Sequence, residues 1–158
     1  MKLTRISLFT LSLIVVFGFT SDNIPPTNAK VIEYVKSVMG KKVGKGECWD
    51  LASEALNYAN AKWTPPFGFG KPVDRTKAAL MPGDIIQISN VTMESKTETS
   101  ITRWKMIHHT AVVYEVKSNN ELVIAEQNVN NVRKVISNTW NLNDMKSGKM
   151  EFFRPQAK

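Results

Sequence analysis

Gly46-Glu47-Cys48-Trp49-Asp50-Leu51-Ala52 is the stretch on which the reading of this chain turns. A glycine-containing loop (Gly40, Gly44, Gly46) runs into it. Leu51, Ala52, Ala55, Leu56 and Ala59 continue from it at helical spacing. Glu47 or Cys48 therefore opens a helix reaching about Lys62, with an apolar stripe suited to packing on a sheet. Cys48 is the single cysteine of the sequence. At a helix start it meets unpaired backbone N–H groups and the positive end of the macrodipole, and both favour the thiolate, the reactive form. It precedes Leu51 by three residues and Ala52 by four, so it shares their buried face and sits at a helix–sheet junction. A lone cysteine is otherwise an inert core thiol or an intermolecular bridge. A catalytic reading needs partners elsewhere in the chain.

Upstream, Val31, Tyr34, Val35 and Val38 recur at helical spacing from Asn28 to Met39, and Gly40 stops that helix. Residues 21–27, with Pro25-Pro26, read as an extended linker. Before them, Lys2 and Arg5 precede the apolar run Ile6 to Phe19, too short for an ordinary spanning helix. Residues 1–20 read as an export signal, which places the protein as secreted or periplasmic; the alternative is an uncleaved N-terminal membrane anchor.

Downstream, Trp63 to Met81 is a long irregular connection with Pro65-Pro66 and three aromatics, Trp63, Phe67 and Phe69. These, with Trp49, are the candidate substrate-binding residues; the aromatics either line a groove or cap the core edge. From Pro82-Gly83-Asp84 the pattern turns to strands: Ile85–Ile88, Trp104–Val116, Leu122–Asn128, Val132–Ile136 and Met150–Phe153. Asn119-Asn120 and Asn130-Asn131 mark turns between them. The polar stretch Val91 to Thr102 reads as a mobile loop or extended hairpin tip. N-terminal helices packed on a C-terminal antiparallel sheet give an α+β domain over residues 28–158.

At 158 residues the chain supports one domain with a real core. A formal net charge of +7 suits an anionic neighbour such as a cell-wall surface. No run of five Lys/Arg occurs, so no nucleic-acid partner is expected, and a monomer is expected.

A cysteine nucleophile needs a base within reach, and imidazole titrates nearest working pH. The two histidines, His108 and His109, open a strand and fall on opposite faces, so only one can meet Cys48. Glu126 and Asn128 share a face at the end of the following strand, where a third polar group orients an imidazole and fixes its tautomer. Cys48 with two adjacent histidines on opposite faces cannot converge on a metal, so no metal or cofactor is expected.

Four segments in order carry a resemblance: Gly46-Glu47-Cys48-Trp49, Pro82-Gly83-Asp84-Ile85-Ile86, His109-Thr110-Ala111-Val112-Val113 and Val123-Ile124-Ala125-Glu126-Gln127-Asn128. Together they resemble the CHAP (cysteine, histidine-dependent amidohydrolase/peptidase) group of papain-like cell-wall hydrolases, over about Asn28 to Pro155. The resemblance implies a papain-like fold with Cys48 as nucleophile, His109 as base, and Glu126 and Asn128 as orienting groups. It also implies a peptidoglycan or peptide substrate and a secreted amidase or endopeptidase. Glu47 stands where that group usually has glutamine, and a carboxylate beside the thiol tends to raise its pKa. A non-catalytic or protein-directed module on the same fold is the alternative.

Overall fold

A computed structural model describes residues 24–158. The export-signal reading and most of the linker lie outside the described residues. Helix α1 (Pro26–Val38) starts with proline in its first turn, where the missing N–H costs nothing. Helix α2 (Cys48–Tyr58) follows. Then come β1 (Ala61–Lys62), β2 (Lys71–Pro72), β3 (Ile85–Lys96), β4 (Ile101–Val116), β5 (Glu121–Glu126), β6 (Ile136–Asn141), β7 (Met145–Arg154) and β8 (Gln156–Ala157). Six strands form one sheet in the order β2-β7-β3-β4-β5-β6, with antiparallel neighbours throughout; β1 and β8 pair separately. This is the α+β arrangement that the sequence implied.

Both faces of the central strands are covered. On one face Leu51, Ala52, Ala55 and Leu56 of α2, with Val31 and Val35 of α1, pack on Ile85, Val112 and Ala125. On the other, Ile86, Ile88, Ala111, Val113, Leu122 and Ile124 gather under Trp140, Leu142 and Phe152. Burial on both sides explains why β3 begins with near-continuous apolar residues and not with clean alternation. Fully burying a leucine such as Leu51 or Leu56 contributes about 1.5–3 kcal/mol, which anchors α2 and therefore its first residue, Cys48.

One open alternative is decided and two local expectations are corrected. Of the two readings of Val91 to Thr102, the extended hairpin holds and the loop does not. β3 and β4 form one long hairpin whose register runs to Lys96↔Ile101. The polar residues there make cross-strand ion pairs, with Glu94 bonded to Arg103 and near Lys96, and the left-handed Asn90 (φ 53°) interrupts the alternation. α2 ends at Tyr58, because Asn60 turns the chain in a left-handed conformation (φ 51°) and Ala61–Lys62 pairs with β8. The fourth strand begins at Ile136, not Val132. Asn130 and Asn131 are both left-handed and close a tight Val129–Val132 bridge. Val135 then exchanges hydrogen bonds with Gly40 and Lys41 at the end of α1.

Candidate active site

The loop before α2 is built to deliver Cys48. Asp50, in the first turn, accepts backbone N–H bonds from Lys45 (2.8 Å) and Glu47 (3.0 Å) through one oxygen. An acid here also suits the helix dipole. Gly44 sits against that carboxylate at φ +54°, where a Cβ would lie 2.8 Å from Asp50 Oδ2. From the other side, the fully buried Gln127 clamps the loop. Its amide donates to the carbonyls of Glu47 (2.7 Å) and Val43 (3.1 Å), and its oxygen accepts from Val43 N–H (3.2 Å).

The sulfur meets the sheet where β4 and β5 part. Their last pair is Val112↔Ala125; beyond it the backbone N–H of Thr110 bonds the Cys48 thiolate instead of a strand. His109 is buried on the face shared with Ile88 and Ile124. Its Nε2 lies 2.6 Å from Glu126 Oε2. That occupies one ring nitrogen and leaves Nδ1 for the thiol. Glu126 Oε1 accepts from Asn138 Nδ2 (2.7 Å), so both carboxylate oxygens are held. Trp140 lies beside the imidazole, with ring centroids 6.5 Å apart and the rings tilted by 40°.

Electrostatics follow the geometry. Burial would raise the Cys48 thiol. Hydrogen bonding from His109, the Thr110 backbone N–H, the imidazolium charge and the Trp49 backbone N–H outweigh it, so its pKa lies below the ordinary thiol value. Burial would lower His109, but hydrogen bonds to Cys48 and Glu126 and the charges of both raise it to about 9. The two titrate as a pair, and each favours the charged form of the other, thiolate beside imidazolium.

Of the four proposed catalytic residues, Cys48, His109 and Glu126 converge. Asn128 does not reach the ring. It is left-handed (φ 62°), and its amide donates to Glu47 Oε2 (2.9 Å) while Arg133 holds Glu47 Oε1 (3.0 Å). Glu47 is therefore turned away and neutralised, and it is not among the groups that shift Cys48. His108 is exposed. Trp49 is half-exposed beside the cysteine, where its main chain serves the thiol. Of the other aromatics, Phe69 takes the core-edge reading, fully buried and edge-on to Phe153 at 6.0 Å; Phe67 is exposed against Phe69, and Trp63 bonds Asn57 at the far end of α2. Eleven residues of helix, about 16 Å, separate that loop from the thiol. Asn138, Gln127 and Trp140 went unnoticed in the sequence; Gln127 lay between two chosen residues, but nothing local signals that its amide closes a loop more than eighty residues upstream. Among the described residues no group of three or more His, Cys, Asp or Glu could hold a metal ion.

Two helices on an antiparallel sheet, with a cysteine opening a helix against a histidine on the sheet, define a papain-like cysteine-proteinase fold. Residues 27–158 match the family described as AIM3/BBC1 Cysteine proteinase-fold domain, and the chain belongs to that family. The match supports the papain-like fold and does not single out the CHAP cell-wall group. Altered inheritance of mitochondria protein 3 of Debaryomyces hansenii is 30% identical over 86% of this chain, which spans 17% of that protein's length. Among solved structures, Ly7917 with the hydrolyzing product of MDP superposes with a TM-score of 0.51 at 18% identity, and a second Ly7917 structure with 0.49 at 17%. Each likeness covers 81% of this chain and 62% of the other.

Proposed function

We propose that the chain is a cysteine hydrolase of amide or peptide bonds. The observation that carries this reading is the buried Cys48–His109–Glu126 relay, with both nitrogens of the imidazole engaged. The Cys48 thiolate attacks the carbonyl carbon, and the oxyanion is met by the Cys48 backbone N–H, one of the orphan donors of the helix start. The His109 imidazolium protonates the leaving amine as the C–N bond breaks. The neutral imidazole then takes a proton from water, which attacks the thioester, frees the acid and restores the thiolate beside the imidazolium. Glu126, locked by Asn138, keeps the ring oriented and stabilises its charged form.

In its finer form the reading makes the protein an exported enzyme acting on peptidoglycan amides. The positive net charge and the apolar N-terminal run after Lys2 and Arg5 motivate that form. The second reading, a papain-like module directed at a protein or binding without turnover, draws on the relative named for mitochondrial inheritance. Wild type and Cys48→Ala are incubated with purified peptidoglycan and, separately, with an unrelated unfolded protein, and released fragments are weighed by mass spectrometry. Cys48-dependent fragments from either substrate support hydrolysis and choose between substrates; identical output from both proteins rejects it.

A further inference from the structure

β4 is paired on one side over its length but on the other only from Val112 upward. Val113 donates to Asp84 and accepts from Gly83, so its polar backbone groups face the β3 side. Alternation then sends those of Val112, Thr110 and His108 to the opposite side, and Met106, opposite Val91 and past the left-handed Asn90, continues the same unpaired edge. Val112 meets β5 and Thr110 meets the thiolate. His108 and Met106, next in line, have no strand beside them among the described residues. Along this edge runs a groove of about 680 Å³, floored by Trp104, Met106 and Trp140 and opening onto His109 and Glu126. A strand edge shaped only to repel other strands carries charge and hides its apolar groups. Here Ile101 and Ile107 stand 65% and 62% exposed.

We propose that the open edge of β4 at Met106–His108 is the substrate-binding strand, adding an extended peptide to the sheet so that its amide reaches Cys48. Backbone pairing supplies affinity, and the groove supplies selection. The aromatic and thioether floor takes an apolar side chain. Lys105 is the one lining charge outside the relay and His108, and it makes no ion pair among the described residues; the single lining carboxylate, Glu126, is already held twice. The occupant is therefore an extended peptide with an acidic residue near an apolar one. This rests on the hydrolase reading.

The test uses full-length Cys48→Ala and an octapeptide of alternating Leu and Glu. Its comparators are the same peptide with alternate backbone nitrogens methylated, and a Leu/Lys analogue. The unmodified peptide is expected to protect the Met106 and His108 amides from hydrogen exchange and to bind at least tenfold tighter than either comparator. Lys105→Glu is expected to reverse the preference between Glu and Lys peptides. Equal binding of the methylated peptide, protection elsewhere, or no binding at millimolar concentration overturns the proposal. Concentration-dependent protection without peptide also overturns it, by assigning the edge to a second copy. Wild-type Cys48 alkylation at pH 6, run alongside, separates the two levels: fast alkylation with no strand protection removes only this proposal, and slow alkylation removes the hydrolase reading beneath it.

Discussion

Among the described residues, the buried charges at the turn into β3 and those where β4 and β5 part are finished differently. At the start of β3, Asp84 is wholly buried and each of its oxygens is bonded twice. Oδ1 accepts from Asn28 (2.9 Å) and Arg154 (3.0 Å), and Oδ2 from Met81 N–H (2.9 Å) and Arg154 (2.8 Å). Arg154 also donates to the carbonyl of Ala79 (2.7 Å). Every partner is a fixed donor and none needs to move. In the relay, the groups are bonded through atoms that can exchange a proton. A closed set of donors makes structure; a sulfur and a ring that share one proton make chemistry. Both clusters contain residues that looked motif-like in the sequence, so residue type alone does not separate them.

Substitutions sharpen that contrast. Cys48→Ala is expected to abolish turnover, by a factor on the order of 10³ or more, with little change in thermal stability. Arg154→Ala is expected to do the reverse. It leaves Asp84 buried and unpaired and costs about 3–5 kcal/mol in urea unfolding, while thiol reactivity at pH 6 persists in the folded fraction. If Arg154→Ala silenced the thiol without loosening the fold, the division between the clusters would fail.

Glu126→Gln is expected to reduce turnover by about 100-fold and to bring the His109 titration down, because the carboxylate is one cause of its elevation. The stability consequence has a definite sign. A histidine raised from 6.5 to about 9 on folding contributes stability that is fully present below about 6.5 and is lost as pH rises through about 9. Unfolding followed from pH 6 to 10 should show that decline in the wild type and a shallower one in Glu126→Gln. Equal slopes would mean that Glu126 does not hold the imidazolium. At the small end, Arg133→Ala removes an exposed partner of Glu47. It should change stability by less than about 1 kcal/mol and leave the Cys48 titration in place. A large rise in the thiol pKa would show Glu47 acting on the sulfur after all.

The sequence carried the parts of this molecule that depend on local pattern. The apolar stripe after Cys48 located α2 and the strand order of residue types located β3, β4 and β5. The strict alternation at His108-His109 kept the two imidazoles on opposite faces. It carried less where long-range partners decide. Val91–Thr102 stayed open between loop and hairpin because Glu94 and Arg103 are polar, and their pairing across a hairpin is invisible one strand at a time. Phe69 stayed open between groove and core edge because nothing in its loop records Phe153 waiting under it. Asn128 was paired with Glu126 on spacing, but its left-handed backbone turns it to Glu47. Asn138 and Trp140 lie on a strand placed four residues too early.

The rate of Cys48 alkylation by iodoacetamide, followed from pH 4 to 10, probes the relay most directly, since no other cysteine competes. A thiolate–imidazolium pair is expected to react rapidly on a plateau well below the ordinary thiol range, with a further change near pH 9 as His109 loses its proton. A single rise centred near pH 8.5, unchanged in His109→Ala, would show an ordinary thiol and contradict the relay.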